Sequence, residues 1–242
     1  TLETAEIEKI YKQATTDTHG EAVVGGYLVI VTDTDTKNPV AGATVTLHED
    51  ESLSIRLPSG RLLDYADQTT IQVQLVKDKS PVASMGVSVT DRNDNFSSGK
   101  TDAAGQITVP STTGTTNGDG NATVGWEDAD GNRHTLTVKV ERTETGRPIQ
   151  GSEVSMGSTG NITVNLPEGQ DMDAKNRVTI TVTDNEKAPE PDKTVIVKSD
   201  LGGTAQGQTN KDGKLTVPSV DSAYTDESGT AVVGQYTVIV TD

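Results

Sequence analysis

The stretch TDESGTAVVGQYTVIVTD, residues 225–242, repeats with few changes the stretch TDTHGEAVVGGYLVIVTD, residues 16–33. Thirteen of the eighteen positions are identical. In both stretches apolar residues recur with period two in the phrase Tyr-x-Val-Ile-Val, which is the pattern of a β-strand. Self-similarity at a distance is the signature of a repeat architecture, so the sequence predicts an array of β-structured units.

Other phrases recur in the same order along the chain. GKTDAAGQITVPS at 99–111 returns as GQTNKDGKLTVPS at 207–219, and NPVAGATV at 38–45 returns as RPIQGSEV at 147–154. These shifts are 108 and 109 residues, from 207 − 99 and 147 − 38. A third phrase, Gly-x-Ala-x-Val-Gly, starts at Gly20, Gly120 and Gly229.

The spacing predicts a unit of about 109 residues that occurs twice. We expect module 1 at 34–141, module 2 at 142–242, and an N-terminal segment at 1–33 that carries the end of a preceding repeat. On this interpretation residues 16–33 form a closing hairpin that pairs with an exposed edge of module 1 or with another copy of the chain. The alternative is that the segment is itself a first strand of module 1. The chain starts and stops within the pattern, so a fragment of a longer array is expected.

Composition narrows the fold and the classes of partner. Hydrophobic content is 31%, aromatic content is 3% and there is no cysteine. The core must therefore be thin and aliphatic, and thiolate chemistry is excluded. The formal charge of −16 disfavours nucleic acid, which needs a basic face. No apolar run approaches the roughly 18 residues of a membrane span, so none is predicted.

Short alternating segments separated by Gly, Asp, Asn and Pro predict an all-β fold of two tandem immunoglobulin-like β-sandwich modules. Strands are expected near 43–48, 53–57, 69–76, 84–90, 105–109, 121–127, 133–140, 152–156, 161–166, 177–183, 193–198, 213–217, 229–234 and 235–241. Asp128-Ala-Asp-Gly-Asn132 is typical of a hairpin turn. Only residues 5–14 carry a helical pattern.

The phrases PVAGATV (39–45), TDAAGQITV (101–109) and the terminal Gly-x-Tyr-x-Val-x-Val resemble bacterial immunoglobulin-like repeats of the invasin-type and carboxypeptidase-regulatory-like families. Such repeats occur in Gram-positive cell-surface and S-layer-anchored proteins. The resemblance implies an extracellular stalk or adhesin segment with no catalytic residues. Pilin-type relatives carry a Lys–Asn isopeptide bond, but Lys37 aligns with Gly146, so no such bond is expected.

Acidic loops are the one feature that suggests a metal. Thr90-Asp-Arg-Asn-Asp-Asn95 resembles the calcium linker of cadherins, and residues 33–35, 117–121 and 128–132 also carry clustered oxygen ligands. Asp and Asn are equally the normal residues of turns, and this interpretation is favoured. Asp33 and Asp35 are the best metal candidates. His19, His48 and His134 lie in unrelated contexts, so no catalytic, cofactor or metal residue is predicted.

Two functions remain open at this point. A structural spacer should be uniform from copy to copy, whereas a binding module should carry one copy with extra aromatic residues or a long loop. The copies match in length and contain few aromatics, so a non-catalytic stalk of a bacterial cell-surface protein is preferred. The alternative is an adhesin module that binds a host protein or glycan through its loops. Neighbouring repeats are the expected partners in either case.

Overall fold

The structure, a computed structural model, describes residues 12–219, 225, 228–233 and 236–241. The described chain is all-β, which confirms the predicted fold class. Its strands are β1 Gln13–Thr15, β2 Glu21–Val24, β3 Tyr27–Asp33, β4 Thr44–Leu47, β5 Leu53–Arg56, β6 Thr69–Leu75, β7 Gly86–Thr90, β8 Phe96–Lys100, β9 Gln106–Val109, β10 Thr113–Thr115, β11 Asn121–Glu127, β12 Arg133–Arg142, β13 Glu153–Met156, β14 Ile162–Asn165, β15 Val178–Thr183, β16 Thr194–Lys198, β17 Thr204–Gln208, β18 Lys214–Val217, β19 Thr230–Val233 and β20 Tyr236–Ile239.

The chain divides into two compact units between Pro110 and Ser111. In the first unit a sheet β1-β4-β5-β7-β8 faces an antiparallel sheet β2-β3-β6-β9. The second unit has the corresponding sheets β10-β13-β14-β16-β17 and β11-β12-β15-β18. Adding nine to each strand number of the first unit gives the strand order of the second. Even the parallel pair β5–β7 has its counterpart, β14–β16.

Each unit has its own aliphatic core between its two sheets. In the first unit Val29, Val31 and Ile71 are fully buried. In the second unit Val140 takes the place of Val31, and Ile180 takes the place of Ile71. Side chains of this kind alternate with polar residues along β6, β12 and β15 because successive residues of a strand point to opposite faces. The thin aliphatic core expected from the composition is therefore what each sandwich contains.

The predicted boundaries at 33/34 and 141/142 are wrong. Strand β3 pairs along its whole length with β6, from Tyr27↔Leu75 to Asp33↔Thr69. Strand β12 pairs with β15 in the same way. Residues 16–33 therefore open the first unit, as the alternative interpretation held, and do not close a preceding one. The helix predicted over residues 5–14 lies largely outside the described residues, and its last two residues belong to β1.

Within the stretch 12–219, four turns with the pattern Thr-Asx-x-x-Gly carry the chain from one sheet to the other. They lie between β1 and β2, β8 and β9, β10 and β11, and β17 and β18, and they begin at Thr16, Thr101, Thr116 and Thr209. In each turn the buried threonine hydroxyl donates a hydrogen bond to a backbone carbonyl of another segment that passes between the two sheets. It accepts a hydrogen bond from a backbone N–H of the same segment. For Thr116 these groups are the Ile149 carbonyl at 2.7 Å and the Ser152 N–H at 2.9 Å. We call these turns the threonine corners.

The glycine of each threonine corner is required by close packing. The φ angle of Gly120 is +78°, and a Cβ placed there would lie 2.5 Å from the carbonyl oxygen of Val140. A Cβ on Gly20, Gly105 or Gly213 would lie 2.3–2.5 Å from the corresponding carbonyl oxygen of the same unit. The recurring glycine phrases of the sequence thus mark the points where one strand crosses close over another.

Candidate functional site

Asp33, the best metal candidate, is bound to groups of its own unit. It is buried, and its Oδ1 accepts the Thr36 N–H and hydroxyl, both at 2.7 Å. Its Oδ2 accepts an N–H of Arg61 at 3.0 Å. A hydrogen bond with Asp67, together with the donors of Thr36, lowers the pKa of Asp33. The hydrogen bond between the two carboxyl groups raises the pKa of Asp67. A carboxylate that already has these donors and a guanidinium offers little to a cation. Asp35 lies beside it and is exposed.

The second unit forms the corresponding link with the positive charge on the central strand and a neutral amide opposite it. Arg142 stands where the first unit has Asp33, and Gln170 stands where it has Arg61. Arg142 donates to Gln170 Oε1 at 2.7 Å and to the Asp171 carbonyl at 2.8 Å. In both units the link ties the loop before β6 or β15 to the central strand, so its role is structural.

The cadherin-like stretch forms the loop of the β7–β8 hairpin. Asp91 and Asn95 are completely buried. The Asp91 carboxylate accepts four neutral N–H donors: the backbone N–H groups of Leu63, Asn93 and Asn95 and the side-chain amide of Asn95, at 2.8–3.1 Å. In the second unit Ser199 occupies the position of Asp91 and accepts the Gly203 N–H at 2.9 Å. The loop keeps its form without a carboxylate there.

The remaining acidic loops are also turns that bind their own backbone. Asn117 Oδ1 accepts the N–H groups of Asp119 and Asn121 at 3.0 and 2.9 Å. In the corresponding corner of the first unit, Asp17 accepts the N–H groups two and four residues further on in the same way. An uncharged amide replaces the carboxylate with no change in these contacts. Within the described ranges no group of three or more His, Cys, Asp or Glu side chains is placed to hold a metal ion.

The three histidines lie in separate places. His19 is exposed in the first threonine corner, and the His48 Nε2 lies 2.8 Å from the Ser54 hydroxyl. His134 is different because it belongs to a cluster of functional groups. Its ring stacks on the indole of Trp126 with centroids 4.6 Å apart and planes at 20°. Its Nε2 lies 2.9 Å from Asp128 Oδ2. We call Trp126, Asp128 and His134 the tryptophan cluster.

The cluster lies on a hairpin that is longer in the second unit than in the first. Glu21 pairs with Ile30, nine residues on, whereas Asn121 pairs with Lys139, 18 residues on. The added nine residues (18 − 9) carry the only tryptophan of the chain. The expectation that the copies match in length, with no long loop in either, is therefore wrong. A sequence signal existed, because the glycine phrases are 100 residues apart from Gly20 to Gly120 but 109 from Gly120 to Gly229.

Packing fixes the indole against the neighbouring sheet. Trp126 is half-buried, and a Cβ on Gly160 would lie 2.9 Å from its Cζ2. Gly160 belongs to the turn between β13 and β14, so a residue without a side chain makes room for the ring there. His134, in contrast, is exposed. The cluster therefore presents an imidazole to solvent on an aromatic base, while the Asp128 carboxylate holds that imidazole in place. Such an arrangement can stack on a flat ligand.

Acid should weaken this hairpin. Hydrogen bonds from His134, and then from Asn132, lower the pKa of Asp128 from the usual value of 3.8. A carboxyl with a lowered pKa stabilises the folded state above its unfolded pKa, and the stabilisation is lost as pH falls through the folded pKa. Below pH 4 the free energy of unfolding of the second unit should therefore fall more steeply in the wild type than in Asp128→Asn. Urea titrations between pH 5 and 2, followed by Trp126 fluorescence, measure both slopes. Equal slopes would contradict this prediction.

No protein family, no curated protein and no solved structure matches this chain. The fold and the site therefore stand on their own geometry. Over the part of the chain that the structure describes, no helix has the length and apolar character needed to cross a membrane.

Proposed function

We propose that this chain is a non-catalytic structural spacer, a stalk segment of a bacterial cell-surface protein that works outside the cell. The observation that supports it most is the use of its polar residues. Backbone groups of the same unit are the partners of Thr116, Asn117 and Asp91. Asp33 and Arg61 bind each other. They tie loops and sheet crossings together, which is what a module that must resist mechanical tension needs.

The second support is the repetition of the same construction. Both units use the same order of nine strands, and each has two threonine corners with the same hydrogen bonds. The proposal includes the family resemblance to bacterial immunoglobulin-like repeats, with neighbouring repeats as partners. The parallel pair β5–β7 is a point at which these sandwiches differ from a purely antiparallel one.

Mechanical pulling tests the spacer. Stretching the protein from its two ends should give two major unfolding events, each with a contour-length gain of roughly 30–40 nm, because about 100 residues extend at up to ~3.6 Å each. The events should recur after relaxation, since each unit has its own core. Glycan arrays and cell-adhesion assays with the same protein should show no saturable binding. A single short event, or saturable binding, would overturn the spacer proposal.

A binding function is the second candidate, and the tryptophan cluster is the observation that favours it. An adhesin module would use the extended β11–β12 hairpin to bind a host protein or glycan. Saturable binding that is lost in Trp126→Ala and in His134→Ala, but kept in His19→Ala, would support this function. His19→Ala is a matched control because it removes an exposed histidine that also contacts an aspartate.

A further inference from the structure

The hairpin β19–β20 corresponds to the hairpins β2–β3 and β11–β12, and it differs from them in what lies beside its second strand. In the first unit β3 lies between β2 and β6, and in the second β12 lies between β11 and β15. Among the described strands β20 pairs with β19 alone. A strand with a described neighbour on one side only is of the kind that recruits another strand.

The apolar side chains of β20 and of the residue after it are exposed, whereas those of the equivalent strand in the first unit are buried. Val29 and Val31 of the first unit are fully buried. Their counterparts in the repeated phrase, Val238 and Val240, are 44% and 61% exposed. The neighbouring Ile239 is 65% exposed. Exposed neighbouring apolar side chains of this kind mark an interaction surface.

The sequence of the hairpin identifies what covers this edge. Residues 225–242 match residues 16–33 at thirteen of eighteen positions, and the structure shows the partner that residues 27–33 take. That partner is β6, TTIQVQL, which runs antiparallel to β3 and buries Ile71 and Val73. In the second unit β15, VTITVT, does the same for β12.

A second copy of this chain has no such strand to donate. Its β6 is already held between β3 and β9, and its β15 between β12 and β18. Exchange of either strand would open a complete core. The strand that fits β20 must therefore come from one more repeat unit that has not used its own β6.

We propose that residues 228–241 are the opening hairpin of one more repeat unit, and that β20 accepts an antiparallel strand of the β6 type from the β4–β9 segment of that unit. The register follows from the first unit: Tyr236 lies opposite the residue equivalent to Leu75, as Tyr27 does. The segment also supplies the facing sheet that covers Val238 and Val240. This inference does not depend on whether the chain is a spacer or an adhesin.

Completing the unit tests the proposal. Residues 34–110 of this chain are copied and attached directly after Asp242, where they follow the repeated phrase as they follow Asp33 in the first unit. Hydrogen exchange is then measured by mass spectrometry on peptides from residues 228–241, with and without the extension. We expect exchange to slow by about 100-fold or more, to the level of residues 21–33, because the hairpin becomes part of a complete core.

A matched control carries Ile71→Lys and Val73→Lys in the copied segment only. It should leave the exchange of residues 228–241 as fast as in the unextended protein, while residues 21–33 stay protected in every sample. The proposal is overturned if the intact extension, folded or not, leaves the hairpin unprotected. It is also overturned if the unextended protein already protects residues 228–241 as a concentration-dependent dimer in sedimentation, since a second copy would then be the occupant.

Discussion

Gly120→Ala is expected to destabilise the second unit by about 3–5 kcal/mol, among the largest effects of a single substitution. Two costs add. An alanine at φ +78° is strained, and its Cβ would lie 2.5 Å from the carbonyl oxygen of Val140. The oxygen belongs to the central strand β12, so relief requires the backbone of the sheet to move. Urea unfolding followed by the fluorescence of Trp126, which lies in the same unit, measures the loss.

Two other glycines of the second unit separate these costs. Gly131 has φ +81° and Gly118 does not have a positive φ, and a Cβ on either would meet nothing within 4 Å. Gly131→Ala should therefore cost only the backbone strain, roughly 1–2 kcal/mol, and Gly118→Ala should stay within about 0.5 kcal/mol of the wild type. If Gly120→Ala and Gly131→Ala unfold at the same urea concentration, the close approach is not the reason for the glycine.

The central strands could be predicted from the sequence, whereas the outermost strands of the five-stranded sheet in each unit could not. Strands such as β6 and β15 alternate apolar and polar residues because one face lies on the core. The four strands that were missed, β1, β8, β10 and β17, are the outermost strands of their sheets. Thr113–Thr115 and Phe96–Lys100 bury few side chains, so their sequences are polar and rich in small residues. Without a buried face there is no alternation to detect.

The error in the unit boundary has a related cause. A hairpin with one apolar face looks the same whether it opens or closes a unit, because local periodicity does not identify the strand that lies beside it. That information lies in the pairing of β3 with β6, between residues that are far apart in the sequence. In a repeat, moreover, any phase of the period gives equally regular matches.

Side-chain links between distant residues are equally invisible in the sequence. Asp33 and Arg61 in one unit correspond to Arg142 and Gln170 in the other, so the position of the positive charge changes while the link is kept. A comparison of positions one at a time shows only that charges differ. The turn chemistry of the acidic loops, in contrast, was predicted correctly, because an Asx side chain binds N–H groups only two and four residues away.

Asp91→Ala should destabilise the first unit by about 3–5 kcal/mol, because it leaves buried N–H groups without an acceptor. The carboxylate is completely buried and binds two segments at once. One oxygen closes the β7–β8 loop through Asn93 and Asn95, and the other holds the backbone N–H of the buried Leu63. Thermal unfolding by circular dichroism gives the stability. Hydrogen exchange at residues 62–64 shows whether the loop before β6 opens first.

Variants of the same loop distinguish lost hydrogen bonds from lost charge. Asp94→Asn removes one negative charge from an exposed side chain and should change stability by no more than about 0.5 kcal/mol.

Asp91→Ser copies the second unit, where Ser199 accepts the Gly203 N–H. It should recover the closure of the β7–β8 loop but not the contact with Leu63, because in the second unit the corresponding N–H, that of Met172, is accepted by Asp171. Its stability should therefore fall between those of the wild type and Asp91→Ala, with exchange still fast at residue 63. A fully stable Asp91→Ser would mean that Leu63 finds another acceptor and that the buried carboxylate is not what joins the two segments.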